Sequence, residues 1–336
     1  MTYKEIQNIH SILIKESDFD RDAKITIALP TYNRTALLKE SIESCLNQKT
    51  MVPFEILVVD NNPERNCQTE LLIESFKKVK NLSYYKNSVN IGMVGNWNKV
   101  IELSRTNFVV MHTDDDLLDE NYIDCMFKIL SFFEEDIDVI YPSPKIFSNP
   151  SEIHTEKIKK KIKGFELRPF DLQFGNCCSF TGAFLNRNTV IELNGFDINY
   201  FPSQDYEMNY RLSQRGKAIN TSGYPLVFYR VAENESINPE SVLKMISCDG
   251  KIMGRIIANY PWIYKKFFNR FYKVYIEKYI LWNKKTYGTK SPLIDEYLKH
   301  QLEKNIFLDK IVYLFFVYIL RKLSKIRRKK IIITDF

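Results

Sequence analysis

The chain has 336 residues, 45% hydrophobic and 26% charged, which supplies apolar material for a full core and excludes a disordered protein. Its formal net charge is +7, and Arg321, Lys322, Lys325, Arg327, Arg328, Lys329 and Lys330 account for all of it. The rest of the chain is neutral, so no nucleic-acid partner is expected, because such a domain carries a basic face across its fold. The six Cys show no CxxC spacing and the four His form no close pair, which argues against zinc and for reduced thiols.

Residues 1–23 read as a helical extension, and Met1 to Arg21 lacks the uninterrupted apolar core of a secretory signal, so a cytoplasmic location is expected. Lys24 to Leu29 reads as a strand, Pro30 to Arg34 as a loop, and Thr35 to Gln48 as a helix with Leu37, Leu38, Ile42, Cys45 and Leu46 inward. Phe54 to Asp60 is a continuous apolar run ending in a carboxylate, as in a buried parallel strand. The alternation continues with a helix over Glu70 to Lys80, a strand over Leu82 to Tyr85, a helix over Val94 to Ser104 and a strand over Phe108 to His112. A helix over Glu120 to Phe133 and a strand over Asp138 to Tyr141 follow. Such an order predicts an α/β fold with a mostly parallel sheet flanked by helices. Ser151 to Lys163 is polar and Lys-rich, an exposed excursion before a second segment from Phe165. Asn176 to Leu185 should return to the sheet, and Asp205 to Arg215 reads as a helix stopped by Gly216. Beyond Pro239 the chain is helical, aromatic and basic.

Thr113-Asp114-Asp115-Asp116 directly follows the strand Phe108 to His112. In an open α/β sheet ligands bind beyond the carboxyl ends of the strands. Clustered Asp oxygens there suit a hard cation such as Mn²⁺ or Mg²⁺ that also meets substrate phosphates. The same run also suits a turn and helix cap. His112 is a further candidate ligand, or an ordinary buried imidazole.

Several strand ends carry polar residues in order: Pro30-Thr31-Tyr32-Asn33-Arg34, Asp60-Asn61-Asn62, Asn90-Ile91-Gly92 and Thr113 to Asp116. Asn194-Gly195-Phe196-Asp197 and Gln204-Asp205-Tyr206-Glu207-Met208, with Arg211 and Gly216, complete the set. Together they resemble the family 2 glycosyltransferases of GT-A fold over roughly Lys24 to Asn238. The resemblance implies a catalytic domain at 24–238, with a nucleotide-binding half at 24–142 and an acceptor-binding half at 143–238, and a helical region at 239–336. It implies an inverting transfer of one sugar from a nucleotide-diphosphate sugar, a UDP-sugar by preference, to a hydroxyl of a glycan in cell-surface polysaccharide synthesis.

By the same resemblance Asp115 and Asp116 would hold Mn²⁺ or Mg²⁺, with Asp114 toward the ribose, although three consecutive Asp leave the register open by one residue. Asp60 would read the base, and Tyr32 would stack on it. Pro30, Asn33, Arg34, Asn90, Gly92 and Asn96 would complete the nucleotide-sugar site, and Asp205 would be the general base. Ala232 stands where the family often carries a His. The Gln-x-x-Arg-Trp motif of processive synthases is absent, which favours single addition. A nucleotidyltransferase would want a Gly-rich phosphate loop, and Pro30 to Arg34 contains no Gly. A tethered sugar-nucleotide-binding scaffold would have no use for both the acidic run and Asp205.

The apolar stretch from Ile306 to Leu320 is interrupted by Asp309 and Lys310, and its clean part, Ile311 to Leu320, falls short of the ~20 residues of a span. Beside a polybasic end, residues 306–330 are expected to lie on an anionic membrane surface at its inner face, which fits a lipid-linked acceptor. Packing of this helix on protein is the other reading.

Overall fold

A short helix, α1 (Tyr3–Ile6), and a strand, β1 (Ser11–Lys15), precede a run in which strands and helices alternate: β2 (Ile25–Thr31), α2 (Thr35–Leu46), β3 (Phe54–Asp60), α3 (Gln68–Ser75), β4 (Leu82–Asn87), α4 (Gly92–Leu103) and β5 (Phe108–Met111). The structure, a computed structural model, describes residues 3–18, 22–133, 136–153, 161–231, 237–301, 307–324 and 330–334. After the acidic turn come β6 (Leu117–Leu118), α5 (Tyr122–Ser131), β7 (Val139–Tyr141), β8 (Pro144–Phe147), β9 (Lys161–Glu166), β10 (Ala183–Asn186), α6 (Arg187–Glu192), α7 (Gln204–Ser213), β11 (Ala218–Gly223) and β12 (Val227–Arg230). The C-terminal region holds α8 (Pro239–Ala258), α9 (Trp262–Tyr287), α10 (Pro292–Gln301), α11 (Phe307–Ser324) and β13 (Lys330–Thr334).

Among the described residues, one sheet runs in the order β1-β4-β3-β2-β5-β10-β7-β11-β9-β13, and a second in the order β6-β12-β8. Strands β4, β3, β2 and β5 are mutually parallel, with Ile27 facing Ile56 on one side and Val110 on the other. Their side chains alternate between two cores. Ile25, Ile27, Leu29, Ile56 and Val58 pack under α2 and α5, where Leu38, Ile42 and Cys45 are buried. Ala28, Leu57, Val59 and Met111 face the opposite core, which contains α4, α7, α8 and part of α9. Burial on both faces explains why β2, β3 and β5 read as largely apolar runs.

Three expectations are corrected at the sheet edges. The N-terminal extension is helical only over Tyr3–Ile6, and Ser11–Lys15 pairs antiparallel with β4 as an edge strand. The C-terminal region is not wholly helical, because β13 pairs antiparallel with β9 and brings Lys330 opposite Phe165. The polar excursion ends earlier than expected, since β9 begins at Lys161 and pairs with β11. Both edge strands satisfy backbone groups that the sheet would otherwise leave open. Lys325, Arg327, Arg328 and Lys329 of the polybasic end lie outside the described residues, as do Ile306 and Ala232.

Candidate active site

β2, β3 and β5 end at the same edge of the sheet, and the loops after them meet there. The acidic turn is tied to the first loop. Thr31 Oγ1 donates to Asp114 Oδ2 at 2.7 Å, and Arg34 Nη1 donates to Asp115 Oδ2 at 2.8 Å and Asp114 Oδ1 at 3.4 Å. Burial, with the adjacent Asp115 charge, pushes the Asp114 carboxyl up to about 6.

Asp116 faces a different set of partners. Its Oδ1 accepts the backbone N–H of Arg230 at 2.7 Å, and its other oxygen accepts the Thr113 hydroxyl. Burial and then the Asp115 charge push this carboxyl up to about 7. Arg230 also donates from Nε to the Asp115 carbonyl at 2.8 Å, pairs with Glu40 and lies over the Phe147 ring. The β12 arginine therefore clamps the acidic turn from behind.

Asp205 lies in the first turn of α7, where Asn176 Nδ2 donates to its Oδ2 at 2.9 Å. Asn209, one turn along, holds Asn176 by a 2.9 Å hydrogen bond. Burial pushes the Asp205 carboxyl up to about 6. A second carboxylate, Asp249 on α8, accepts the Tyr275 hydroxyl and is pushed up to about 7, chiefly by burial.

One cavity of about 1540 Å³ joins these groups. Asp114, Asp115, Asp116 and Asp205 all border it, with Pro30, Tyr32, Arg34, Asn90, Gly92 and Asn96. Tyr32 is 48% exposed, available for stacking, whereas Asn96 is buried and ties Val59 O and Asn87 together. Gly92 has φ +72°, a left-handed conformation that a side chain would strain.

Two expected site residues do not border the cavity. Asp60 is 0% exposed and accepts hydrogen bonds from Tyr84 Oη at 2.8 Å, Lys86 Nζ at 2.9 Å and the Asn62 N–H at 2.9 Å. Its carboxylate is turned into the core and braces the Asn61-Asn62 turn, so its side chain does not reach a base in this arrangement. Asn33 sits at φ +56° and accepts from Asn62 Nδ2 at 2.8 Å, supporting the loop instead of lining the site. Asn61 does border the cavity, but its amide is committed to Asn87, Asn90, Ile91 and Gly92. His112 is fully buried and does not border the cavity, and burial lowers it to about 3 against a hydrogen bond with the Asp116 backbone, leaving a neutral imidazole.

Among the described residues no three His, Cys, Asp or Glu converge as a self-sufficient metal cage. Mg²⁺ and Mn²⁺ need less than a cage when one or two carboxylates combine with waters and substrate phosphates. Asp115, with Asp114 beside it, fits that mode at the cavity wall. Asp116 fits less well, because Arg230 and Thr113 already engage its carboxylate.

A model of Glycosyl transferase family 2 matches residues 26–193, half of the chain. Among relatives, an uncharacterized glycosyltransferase of Methanocaldococcus jannaschii is 24% identical over 213 residues, 63% of this chain and 72% of that one. The poly(ribitol-phosphate) beta-N-acetylglucosaminyltransferase TarP of Staphylococcus aureus is 27% identical over 107 residues, 31% of this chain and 32% of that one. Among solved structures, S. aureus TarS in complex with UDP-GlcNAc aligns with TM-score 0.56 and 15% identity, covering 83% of this chain and 79% of that one. A Pyrobaculum calidifontis mannosyltransferase in complex with GDP-Man and Mn²⁺ aligns with TM-score 0.52 and 13% identity, covering 93% and 92%. At these identities the structural likeness establishes the GT-A fold.

Proposed function

The chain belongs to glycosyl transferase family 2, and from that premise we propose that it moves one sugar, with inversion, from a nucleoside-diphosphate sugar to a hydroxyl of a glycan acceptor. A UDP-sugar is the preferred donor class and cell-surface polysaccharide the product class, with Tyr32 against the base. The observation that carries this reading is that the acidic turn after β5 and Asp205 on α7 border one cavity.

The donor's diphosphate would lie toward Arg34, Asp114 and Asp115. Arg34 now neutralises the two carboxylates and could turn to a phosphate as the donor enters, because its side chain is 32% exposed. A divalent cation held by Asp115, with Asp114 beside it, would supply Lewis-acid stabilisation of the charge that grows on the leaving diphosphate. The acceptor hydroxyl would stand at Asp205. As its oxygen bonds to the anomeric carbon, the bond from that carbon to the phosphate oxygen breaks, the proton passes to Asp205, and the nucleoside diphosphate leaves with the electron pair. A carboxyl near 6 suits this role, being mostly ionised at neutral pH yet basic enough to accept a proton.

A lipid-linked acceptor and a position on the inner face of the membrane are supported by α11. Its residues Phe307, Leu308, Ile311, Leu314, Phe315 and Tyr318 are all at least 50% exposed and lie along one helical face. On the opposite side Tyr313 and Val317 pack against Phe271 and Val274 of α9, and Lys310 pairs with Glu277 at 2.7 Å. Among the described residues no helix is long and apolar enough to cross a membrane. Such a helix can dock on protein with one face and enter a lipid interface with the other.

A screen of UDP-, GDP- and dTDP-sugars with Mn²⁺ or Mg²⁺ tests the reading. Cation-dependent turnover of one or a few of them is expected, and no binding or turnover of any would refute it.

A further inference from the structure

Small-molecule pockets typically enclose about 300–1,000 Å³, whereas this cavity encloses about 1540 Å³, room for a second ligand beside the donor. Its walls also change character. The end beneath β2, β3 and β5 carries Arg34, the three Asp and the Asn side chains. Another stretch of the wall comes from α9, whose Tyr275, Lys278, Tyr279 and Trp282 follow i, i+3, i+4, i+7 spacing and all border the cavity.

Trp282 is 43% exposed, with its ring centroid 6.0 Å from Tyr279 and 5.6 Å from Tyr287, the latter edge-on. Tyr287 is tied back to the catalytic side by a 3.1 Å hydrogen bond between its hydroxyl and that of Tyr229 on β12. Asp205 is among the charges that raise the Tyr279 phenol, after burial, Asp249 and Tyr287, which puts Tyr279 within electrostatic reach of the base. Flat rings with polar rims match a pyranose, which has an apolar C–H face and a rim of hydroxyls.

Resting on the glycosyltransferase reading, we propose that the α9 face made by Tyr279 and Trp282 is the acceptor subsite, stacking a pyranose ring of the acceptor glycan and turning one of its hydroxyls toward Asp205. This face lies beyond the family-matched segment, 26–193, so it can set acceptor choice independently of the shared donor-binding core.

The test uses the full chain with chitotetraose, cellotetraose and maltotetraose as probes in saturation-transfer NMR, and UDP with Mn²⁺ in calorimetry. Binding of at least one oligosaccharide is expected, weakened tenfold or more in Trp282→Ala and partly restored in Trp282→Phe, with UDP affinity within twofold of wild type throughout. Unchanged oligosaccharide affinity in both Trp282→Ala and Tyr279→Ala overturns the proposal. So does failure of all three probes to bind a protein that binds UDP. If neither UDP, GDP nor dTDP binds while an oligosaccharide still binds through Trp282, the donor reading fails and the platform stands.

Discussion

Lys86 Nζ lies 2.9 Å from Asp60 Oδ2, and the two side chains are only 1% and 0% exposed. An ion pair this deeply enclosed contributes by mutual compensation, since either charge alone would be strongly disfavoured in the core. Lys86→Met is expected to destabilise the fold by about 3–5 kcal/mol, whereas Asp60→Asn combined with Lys86→Met should recover much of the loss. Urea unfolding of the two variants checks this, and a single variant as stable as wild type would show that the pair is not holding the β3 end.

Arg34 bridges Asp114 and Asp115 from a loop that is close in space but far in sequence. Removing its charge-assisted hydrogen bonds should cost about 1.5–3 kcal/mol of donor or transition-state stabilisation. Arg34→Ala is accordingly expected to lower kcat/KM by about ten- to a hundredfold. Its melting temperature should fall modestly, because Arg34 is 32% exposed but its removal leaves Asp114 and Asp115, 8% and 9% exposed, without its charge. Steady-state kinetics beside a thermal melt separate the two effects.

The pH profile follows from Asp205. Burial raises its carboxyl to about 6, and the groups within electrostatic reach are Asp249 on α8, Tyr279 on α9, Tyr141 on β7, Cys178 and Tyr206, with Asn176 donating a hydrogen bond. The base form is the ionised one, so activity should be fully present above that value and fall tenfold per unit as pH drops below it. For stability the sign is opposite, because a carboxyl raised on folding disfavours the folded state once pH exceeds its unfolded value of about 3.9. Asp205→Asn should therefore melt no lower than wild type at pH 7.

The exposed face of α11 gives a separate expectation. Leu314→Glu with Phe315→Glu places charge where the two side chains are 58% and 60% exposed. The doubly substituted protein should lose co-sedimentation with phosphatidylglycerol vesicles while keeping its melting temperature and its UDP affinity. Undiminished sedimentation would assign that face to another partner.

The central strands were legible because burial on both faces leaves them largely apolar, as in Ile56-Leu57-Val58-Val59. The strand-end polar clusters were legible as well, since the carboxyl edge of such a sheet is where loops meet. The orientation of Asp60 was not, because a terminal Asp reads alike whether it faces a cleft or the core. A hint lay in β4, where period-two alternation puts Tyr84 and Lys86 on one face and so carries a lysine inward beside a tyrosine. Asp249 was missed although it interrupts the apolar stripe Ile246, Ile252, Met253 and Ile256 of α8, a placement that marks a buried carboxylate. The edge strands β1 and β13 are short and lack a clean alternation, so only tertiary pairing defines them.

The central claim is that Asp205 accepts a proton in the cavity that the acidic turn also borders. Transfer by Asp205→Asn, assayed with a donor that wild type uses and beside UDP binding by calorimetry, tests it most directly. UDP affinity within twofold of wild type and transfer reduced by about a hundred- to ten-thousandfold is the expected result. Transfer within threefold of wild type would contradict the account.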